Sequence, residues 1–490
     1  MVPLTPNRVA RKTSRRRPVR RLPALAPGPP ADRNRQPCSL SSHGGRRASA
    51  AKPTPLSLRQ VAACAAKEAA SLTGSVGPSA GPSGGLAGCR TEFPALSMKV
   101  DGRPVVFLDG PGGTQVPRRV IDRVTRYLTS ENANTHGPFA TSQATDRALD
   151  EARRAMAGFL GATPDEIAFG QNMTTLNFAL ARAIGRRLGP GDEILITDLD
   201  HEANRAPWLA LEEKGVTVRA VRVDSQTCTL DLADLRSKLS TKTRVVAVSG
   251  ASNAVGTVTD VKLVAALARD AALAADSALA APGADVIVVV DAVHLAPHRP
   301  IDARDLGCDF LLCSAYKFFG PHVGVLYGRR EAFGRLETYK VPPQSDAVPY
   351  RIETGTLMHE GIAGVTAAVE FMAGLGGVAT IDRYEHGLAE WLRGELATIP
   401  GLTIYGPPPG HPRTPTISFR LEGWRPEDLA EAMAAEGVFA WAGDFYAATL
   451  LRRLGLADSG GLLRLGLAPY NTPAEMEQVA WLLRRLASRR

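Results

Sequence analysis

Asp291 and Lys317 are the residues whose types and surroundings could do chemistry. Asp291 directly follows VIVVV (286–290), an unbroken apolar, β-branched run that reads as a strand buried on both faces and ending in a carboxylate. Lys317 follows a second apolar run, 310–313, through Ser314, Ala315 and Tyr316, and Gly320 and Pro321 close the turn. A lysine amine that can form a Schiff base, and a carboxylate that can keep a pyridine nitrogen protonated, are the two groups that pyridoxal 5'-phosphate (PLP) requires. Taken singly, Asp291 reads more simply as a helix N-cap and Lys317 as a surface lysine.

Other strand ends change that balance. FGQNMTT (169–175) leads from a strand into a helix whose first free N–H groups, at Met173 and Thr174, suit a phosphate, with the Thr174 hydroxyl beside them. DLDHEAN places His201 just after a strand, where its ring could lie flat on a pyridine. GASNAVGT supplies Asn253 as a short polar contact, and RIETGT offers Thr356 on a glycine turn. A lone His, Asn or Thr in a loop is usually a capping or solvated residue. Several of them in the order of one site are not.

The elements that must position these residues follow from periodicity. Short apolar strands at 166–169, 193–197, 216–221, 244–249, 284–290, 310–313 and 323–327 alternate with helices starting near Met173, Asn204, Leu230 and Asp260. That alternation predicts an α/β fold: a mostly parallel seven-stranded sheet, helices on both faces, ligands at the carboxyl ends of the strands. Residues 276–283 read as a surface insertion. Helices are expected over 117–128, 145–160, 362–374 and 381–399. After residue 361 the pattern changes to a smaller α+β domain, with strands at 402–405, 416–421 and 463–467 and helices at 426–435 and 473–488. The expected division is a basic extension over 1–91, an N-terminal arm and large cofactor-binding domain over 92–360, and a small domain over 361–490.

The net charge of +9 does not point to nucleic acid once it is located. Before Met98 there are 16 Lys and Arg against 3 Asp and Glu, so Met98 to Arg490 carries −4. The extension is Pro-, Gly- and Arg-rich without apolar periodicity, so disorder or unselected sequence is the first expectation. Its acid-poor composition is that of an organelle transit peptide, but it lacks an amphipathic helix near its start; a nucleic-acid-binding arm ranks third. No run reaches the ~18 apolar residues of a membrane span. Cys38, Cys64, Cys89, Cys228, Cys308 and Cys313 show neither CxxC pairing nor even spacing. Metal and disulfide frameworks are not expected, and a reducing, cytoplasmic setting fits.

With NANTHG (132–137), HEAN, SNAVGT, VDAVH, SAYKFFGP, ETGT and RLGLAPYNT (464–472), residues 92–490 resemble the class V branch of the fold-type I PLP enzymes, close to the cysteine desulfurases and to the group called cysteine desulfurase-like proteins. The resemblance implies a homodimer acting on an amino acid. It implies Lys317 as the Schiff-base lysine, Asp291 as the pyridine-nitrogen partner and His201 as the stacking, catalytic ring. Asn253 and His294 would sit near the phenolic oxygen, and Met173, Thr174, Ser314 and Tyr316 near the phosphate. Thr356 would reach the phosphate of the neighbouring subunit's cofactor, and Arg464, with Asn134, would bind the substrate.

The departures bear on the reaction. Desulfurases carry a loop cysteine that takes sulfur as a persulfide; here no cysteine follows Cys313, and Trp441 and Tyr446 stand where those enzymes have an arginine and the cysteine. His294 replaces a glutamine, and Tyr316 a histidine. Cys308 and Cys313 fall at a buried strand, Cys228 in an expected surface turn remote from the site, and the other three in or beside the extension, so none is a good nucleophile. The expectation is cleavage of the C–S bond of cysteine or a related substrate, with sulfur leaving directly as sulfide. Transamination or epimerisation of another amino acid is the alternative, and a PLP-binding protein without turnover is the alternative from another class.

Overall fold

The computed structural model describes residues 86–273 and 286–488. The insertion expected at 276–283, Cys38, Cys64 and nearly all of the basic extension lie outside the described residues. The main sheet is built from Ile167–Gly170 (β1), Glu193–Thr197 (β2), Thr217–Val221 (β3), Thr243–Ser249 (β4), Ile287–Asp291 (β5), Phe310–Ser314 (β6) and Gly324–Gly328 (β7). Their order is β1-β7-β6-β5-β4-β2-β3. All neighbours are parallel except β7, which runs antiparallel to both β6 and β1.

Alternate residues of each central strand enter opposite cores. Val246 and Val248 of β4, Val288 and Val290 of β5, and Leu311 and Cys313 of β6 join one cluster; Val245 and Ala247, Val289, and Phe310 and Leu312 join the other. The first is closed by helices Ala140–Leu160, Val261–Leu273 and His359–Gly374, through Met156, Val264 and Phe371. The second is closed by Met173–Ile184 and by Trp208. A strand covered on both sides loses no face to water, which is why these segments read as continuous apolar runs. Each buried Val or Leu contributes about 1.5–3 kcal/mol.

A second sheet holds Leu402–Tyr405 (β8), Thr416–Leu421 (β9), Trp441–Gly443 (β10) and Leu462–Gly466 (β11), in the antiparallel order β8-β9-β11-β10. Helices Val378–Ala397, Pro426–Ala435 and Pro473–Ala487 pack on it. Its core also takes Val106 and Leu108 from the start of the chain, because Val106–Phe107 pairs in parallel with Val438–Phe439. Sequence periodicity finds β8, β9 and β11 but neither β10 nor Val438–Phe439. Those segments are two or three residues long and exist only through their partners.

Helix Ala140–Leu160 begins earlier than its apolar spacing indicates and ends at left-handed Gly161 (φ 67°). The helices expected at 362 and 381 likewise begin at His359 and Val378. Two cysteine placements are corrected. Cys228 does occupy a turn, with φ 52°, but it is buried against Val223, Ala254 and Leu451 rather than at the surface. Cys89, expected in or beside the extension, is buried in a 3-10 turn, Ala87–Glu92, with its Sγ 3.6 Å from the Pro469 carbonyl oxygen. Among the described residues no single helix is long and apolar enough to cross a membrane.

Candidate active site

The carboxyl ends of β2, β4, β5 and β6 open on one cavity of ≈ 450 Å³, whose wall includes His201, Asn253, Asp291, Ser314 and Lys317. Asp291 is the last residue of β5, and its Oδ1 accepts the Val293 N–H at 2.9 Å. Burial pushes its carboxyl up to about 7 against that hydrogen bond, nearby Asp200 pushes the same way, and Lys317 partly offsets both. Lys317 ends the 3-10 turn after β6 and donates from Nζ to the Pro111 carbonyl oxygen. Burial, then the Arg464 guanidinium, pulls its amine down to about 7, with Asp291 acting in the opposite sense.

His201 follows β2 and accepts the Ala203 N–H on Nδ1 at 2.9 Å, which leaves Nε2 as the protonated nitrogen of the neutral ring. Burial and the charges of Lys317 and Arg464 hold its pKa down at about 4. The ring stacks on Tyr446, with centroids 5.4 Å apart. Directly before it, Asp200 is buried and accepts the N–H groups of Thr197 (3.0 Å) and Ser249 (2.7 Å), tying β2 to β4; burial raises its carboxyl to about 6. Sequence reasoning missed Asp200, although a second acid two residues after Asp198 in DLDHEAN was a usable signal.

At one end of the cavity the Met173 N–H, first in helix Met173–Ile184, donates to Ser314 Oγ at 3.0 Å. Asn172 caps that helix, its side chain accepting the Thr175 N–H at 2.9 Å. The approach depends on Gly324: a Cβ there would lie 2.5 Å from the Asn172 carbonyl carbon. Thr174 is exposed in the same first turn and does not line the cavity. Tyr316 does, stacked on His322 with centroids 4.9 Å apart.

His294 is buried, its Nε2 2.9 Å from Thr416 Oγ1 and 3.1 Å from Thr414 Oγ1, and burial holds its pKa well below the usual value. Its ring meets His298 edge-on, and His298 Nδ1 lies 2.7 Å from buried Glu385. Arg464 rises from β11, gives Nη1 to the Asn253 carbonyl oxygen at 2.7 Å and lies 4.0 Å over the Phe445 ring. Burial lowers its pKa to about 9, so it stays charged at neutral pH.

Asn134 and Thr356 do not reach this cavity; they line another, beside Asp146 and the buried Arg153–Glu353 pair. The Pro111–Gly112 turn also lines the cavity, and the sequence reading passed over it, though GPGG after an apolar strand marks a tight turn.

Two buried polar atoms of cavity-lining residues lack a hydrogen-bond partner: Arg464 Nε and Asn253 Oδ1. Unsatisfied groups of this kind cost about 1–3 kcal/mol each and point to a ligand that would satisfy them. Together with the lysine, the strand-end carboxylate and the N–H and hydroxyl cradle behind Gly324, they fit PLP with an amino acid beside it.

The comparisons agree. The profile of the aminotransferase class-V family matches residues 106–479. A probable cysteine desulfurase of Mycolicibacterium paratuberculosis is 34% identical over 418 residues, covering 82% of this chain and 58% of the relative. A cysteine desulfurase of Pectobacterium atrosepticum is 32% identical over 415 residues, covering 81% and 97%. The chain thus spans less than two thirds of some relatives and nearly all of others. An apo cysteine desulfurase from Thermococcus onnurineus superposes with TM-score 0.74 at 26% identity, covering 82% of this chain and 98% of that one. One from Escherichia coli gives 0.71 at 26%, with the same coverage. A strand-end lysine and carboxylate, on a fold and profile shared over most of the described chain, place this protein in the class V aminotransferase family of PLP-dependent enzymes.

Proposed function

We propose that this enzyme cleaves the Cβ–S bond of cysteine or a related cysteine derivative by β-elimination, without an enzyme persulfide, and that it works as a homodimer. The observation that carries the reading is that, among the described residues, no cysteine lines the Lys317 cavity. Burial raises the thiols of Cys89 and Cys308 to about 12 and that of Cys228 to about 11, and pushes Cys313 higher still. A thiolate is the nucleophile that persulfide chemistry needs, and these sites disfavour it. The cysteine desulfurase names of the relatives support a sulfur-bearing amino acid as the substrate.

In this reading Lys317 anchors the cofactor and then acts as base, its lowered pKa leaving a neutral fraction near pH 7 that can take the α-proton. PLP, when bound, supplies the electron sink for the pair left at Cα. Asp291 would face the pyridine nitrogen, His201 would pack on the ring without adding charge, and Asn253, His294 and Tyr316 would border it. Met173 N–H and Ser314 would take the phosphate, and Thr174, which is exposed and does not line the cavity, would not. Arg464 would hold the α-carboxylate, with its unpartnered Nε available for it. Asn134 and Thr356, which line a different cavity of their own chain, would serve the site of the second copy.

The test is the purified holoenzyme with L-cysteine, assayed in parallel for sulfide, pyruvate, amino-group transfer and D-isomer. Sulfide and pyruvate, no alkylation-trapped persulfide, and twice the chain mass by light scattering are expected. A persulfide on Cys228, with activity lost in Cys228→Ala, would overturn the reading; keto acid from amino-group transfer, or racemised substrate, would favour transamination or epimerisation.

A further inference from the structure

Trp441, Phe445 and Tyr446 give the Lys317 cavity an aromatic wall, and its construction is specific. Trp441 lies directly opposite Arg464 in the β10–β11 register. Cross-strand partners in an antiparallel pair share a face, with Cβ atoms about 5 Å apart. The indole is backed by the turn that accepts Lys317: a Cβ on Gly112 would lie 2.3 Å from Trp441 Nε1. Phe445 and Tyr446 follow, both with φ 56°, a left-handed backbone that costs a bulky residue about 1–2 kcal/mol. The surroundings hold them there. Asn253 Nδ2 donates to the Phe445 carbonyl oxygen at 2.7 Å, the Glu202 N–H to that of Tyr446 at 2.8 Å, and the Tyr446 N–H to Asp444 Oδ1 at 3.0 Å. Strain fixed by three contacts is a feature of functional sites.

The result is two large rings left uncovered beside the carboxylate-binding arginine: Trp441 is 52% exposed and Tyr446 72%. A substrate held by its carboxylate at Arg464 has its side chain next to this wall. A bare thiol is too small to cover it. A cationic side chain would share the cavity with Lys317 and Arg464, and the Asp444 Oδ1 is already engaged by its own turn. The geometry points to a substrate whose sulfur carries an aromatic or large apolar group, an S-substituted L-cysteine, with Trp441 and Tyr446 as the residues that select it.

This inference rests on the C–S cleavage proposed above and specifies its substrate. The chemistry balances without a redox partner. The Cα–H proton goes to Lys317, its electron pair becomes the Cα–Cβ double bond, and the Cβ–S pair leaves with sulfur as a thiolate that is then protonated. The three-carbon remainder takes up water to give pyruvate and ammonia.

The experiment compares S-benzyl-L-cysteine, S-methyl-L-cysteine and L-cysteine with holoenzyme of wild type, Trp441→Ala and Tyr446→Ala, reading released thiol or sulfide and pyruvate. S-benzyl and S-methyl derivatives both release alkyl thiolates, so the comparison isolates size. A kcat/KM for the benzyl compound at least ~10-fold above the other two is expected, as is loss of most of that preference, through KM, in either variant. The Tm and cofactor absorbance of each variant check that it folds, and the benzyl-to-methyl ratio of kcat/KM is the readout. Equal or better use of cysteine or S-methyl-L-cysteine, or variants that slow every substrate alike, would overturn the inference. If no compound loses sulfur, the proposed reaction fails, and the wall is judged by cofactor absorbance on titration with L-phenylalanine and L-alanine. Tighter phenylalanine binding that disappears in Trp441→Ala upholds an aromatic-selective wall; equal binding refutes it.

Discussion

Lys317 and Asp291 are each held in the form that burial prefers, and that choice has opposite consequences for rate and for stability. Because the Lys317 amine is drawn down to about 7, its base form grows as pH rises through that value, and kcat, which reports groups in the substrate complex, should rise with pH over the same range. Lys317→Ala should lose at least ~10²-fold in turnover, and borohydride reduction of the wild-type holoenzyme should leave the pyridoxyl group on the peptide containing Lys317. A label on another lysine would remove it from the mechanism. Asp291 has a folded-state pKa raised above its unfolded value, so its stabilising contribution is present below the unfolded pKa and is lost as pH rises through about 7. Asp291→Asn should therefore raise the Tm of the apoprotein at pH 8, with the gain shrinking towards pH 5, while turnover falls. Asp200, raised to about 6, keeps part of the same slope in the variant. An apoprotein Tm at pH 8 that drops on this substitution would show that the carboxylate contributes stability and that burial does not dominate.

At the level of elements, the close approach of Asn172 to β7 rests on one missing methyl group. Gly324→Ala places a Cβ 2.5 Å from the Asn172 backbone, and the helix start must move. A destabilisation of ~1–3 kcal/mol is expected, with a larger fractional loss of PLP affinity than of affinity for amino-acid substrates. Calorimetry together with PLP titration checks both, and unchanged PLP affinity would take Met173 and Ser314 out of the phosphate site. The central strands of the main sheet were legible in the sequence because burial on both faces leaves apolar runs; edge strand β3 alternates exposed and half-buried residues. Asp291, Ser314 and Lys317 were legible for the same reason, since they sit where such runs stop. The aromatic wall was visible only as residue types. The left-handed turn at Phe445 and Tyr446 is imposed by Asn253 and Glu202, far off in the chain, and no local spacing encodes it. Cys228 was misplaced because a turn's backbone is legible and its cover is not: Val255 and Leu451 close over it from distant segments.

For the whole molecule, the first described residues are where composition misleads. Glycine and arginine continue up to Arg90, so the sequence reads as extension, yet Leu86 and Cys89 are buried and Arg90 pairs with Glu475 at 2.8 Å. Phe93 then meets Phe371 and Tyr470 edge-on. A chain starting at residue 93 should melt a few degrees below one starting at residue 86, since Leu86 alone is worth about 1.5–3 kcal/mol buried. Equal melting temperatures would show that this segment contributes nothing. Three strands of the second sheet were legible, but helix His359–Gly374, expected in the small domain, packs in the main sheet's core. The contribution of Val106 and Leu108 to the second core left no local mark, because Val106–Phe107 pairs in parallel across most of the chain.

The position of β11 has a consequence for how the protein is made. Arg464 lies on the strand between β9 and β10, and Gly466 N–H donates to the Leu108 carbonyl oxygen, so the strand that brings Arg464 to the cavity is tied to a segment near the start of the described residues. On the ribosome Lys317 emerges roughly 7–30 s before Arg464 at ordinary elongation rates. Throughout that interval the lysine lacks the arginine and the burial that the second sheet adds, so it stays nearer an ordinary protonated amine, slow to attack an aldehyde. Reactivity and selectivity therefore arrive together, at the end of synthesis, when the last strand of the second sheet slides into place.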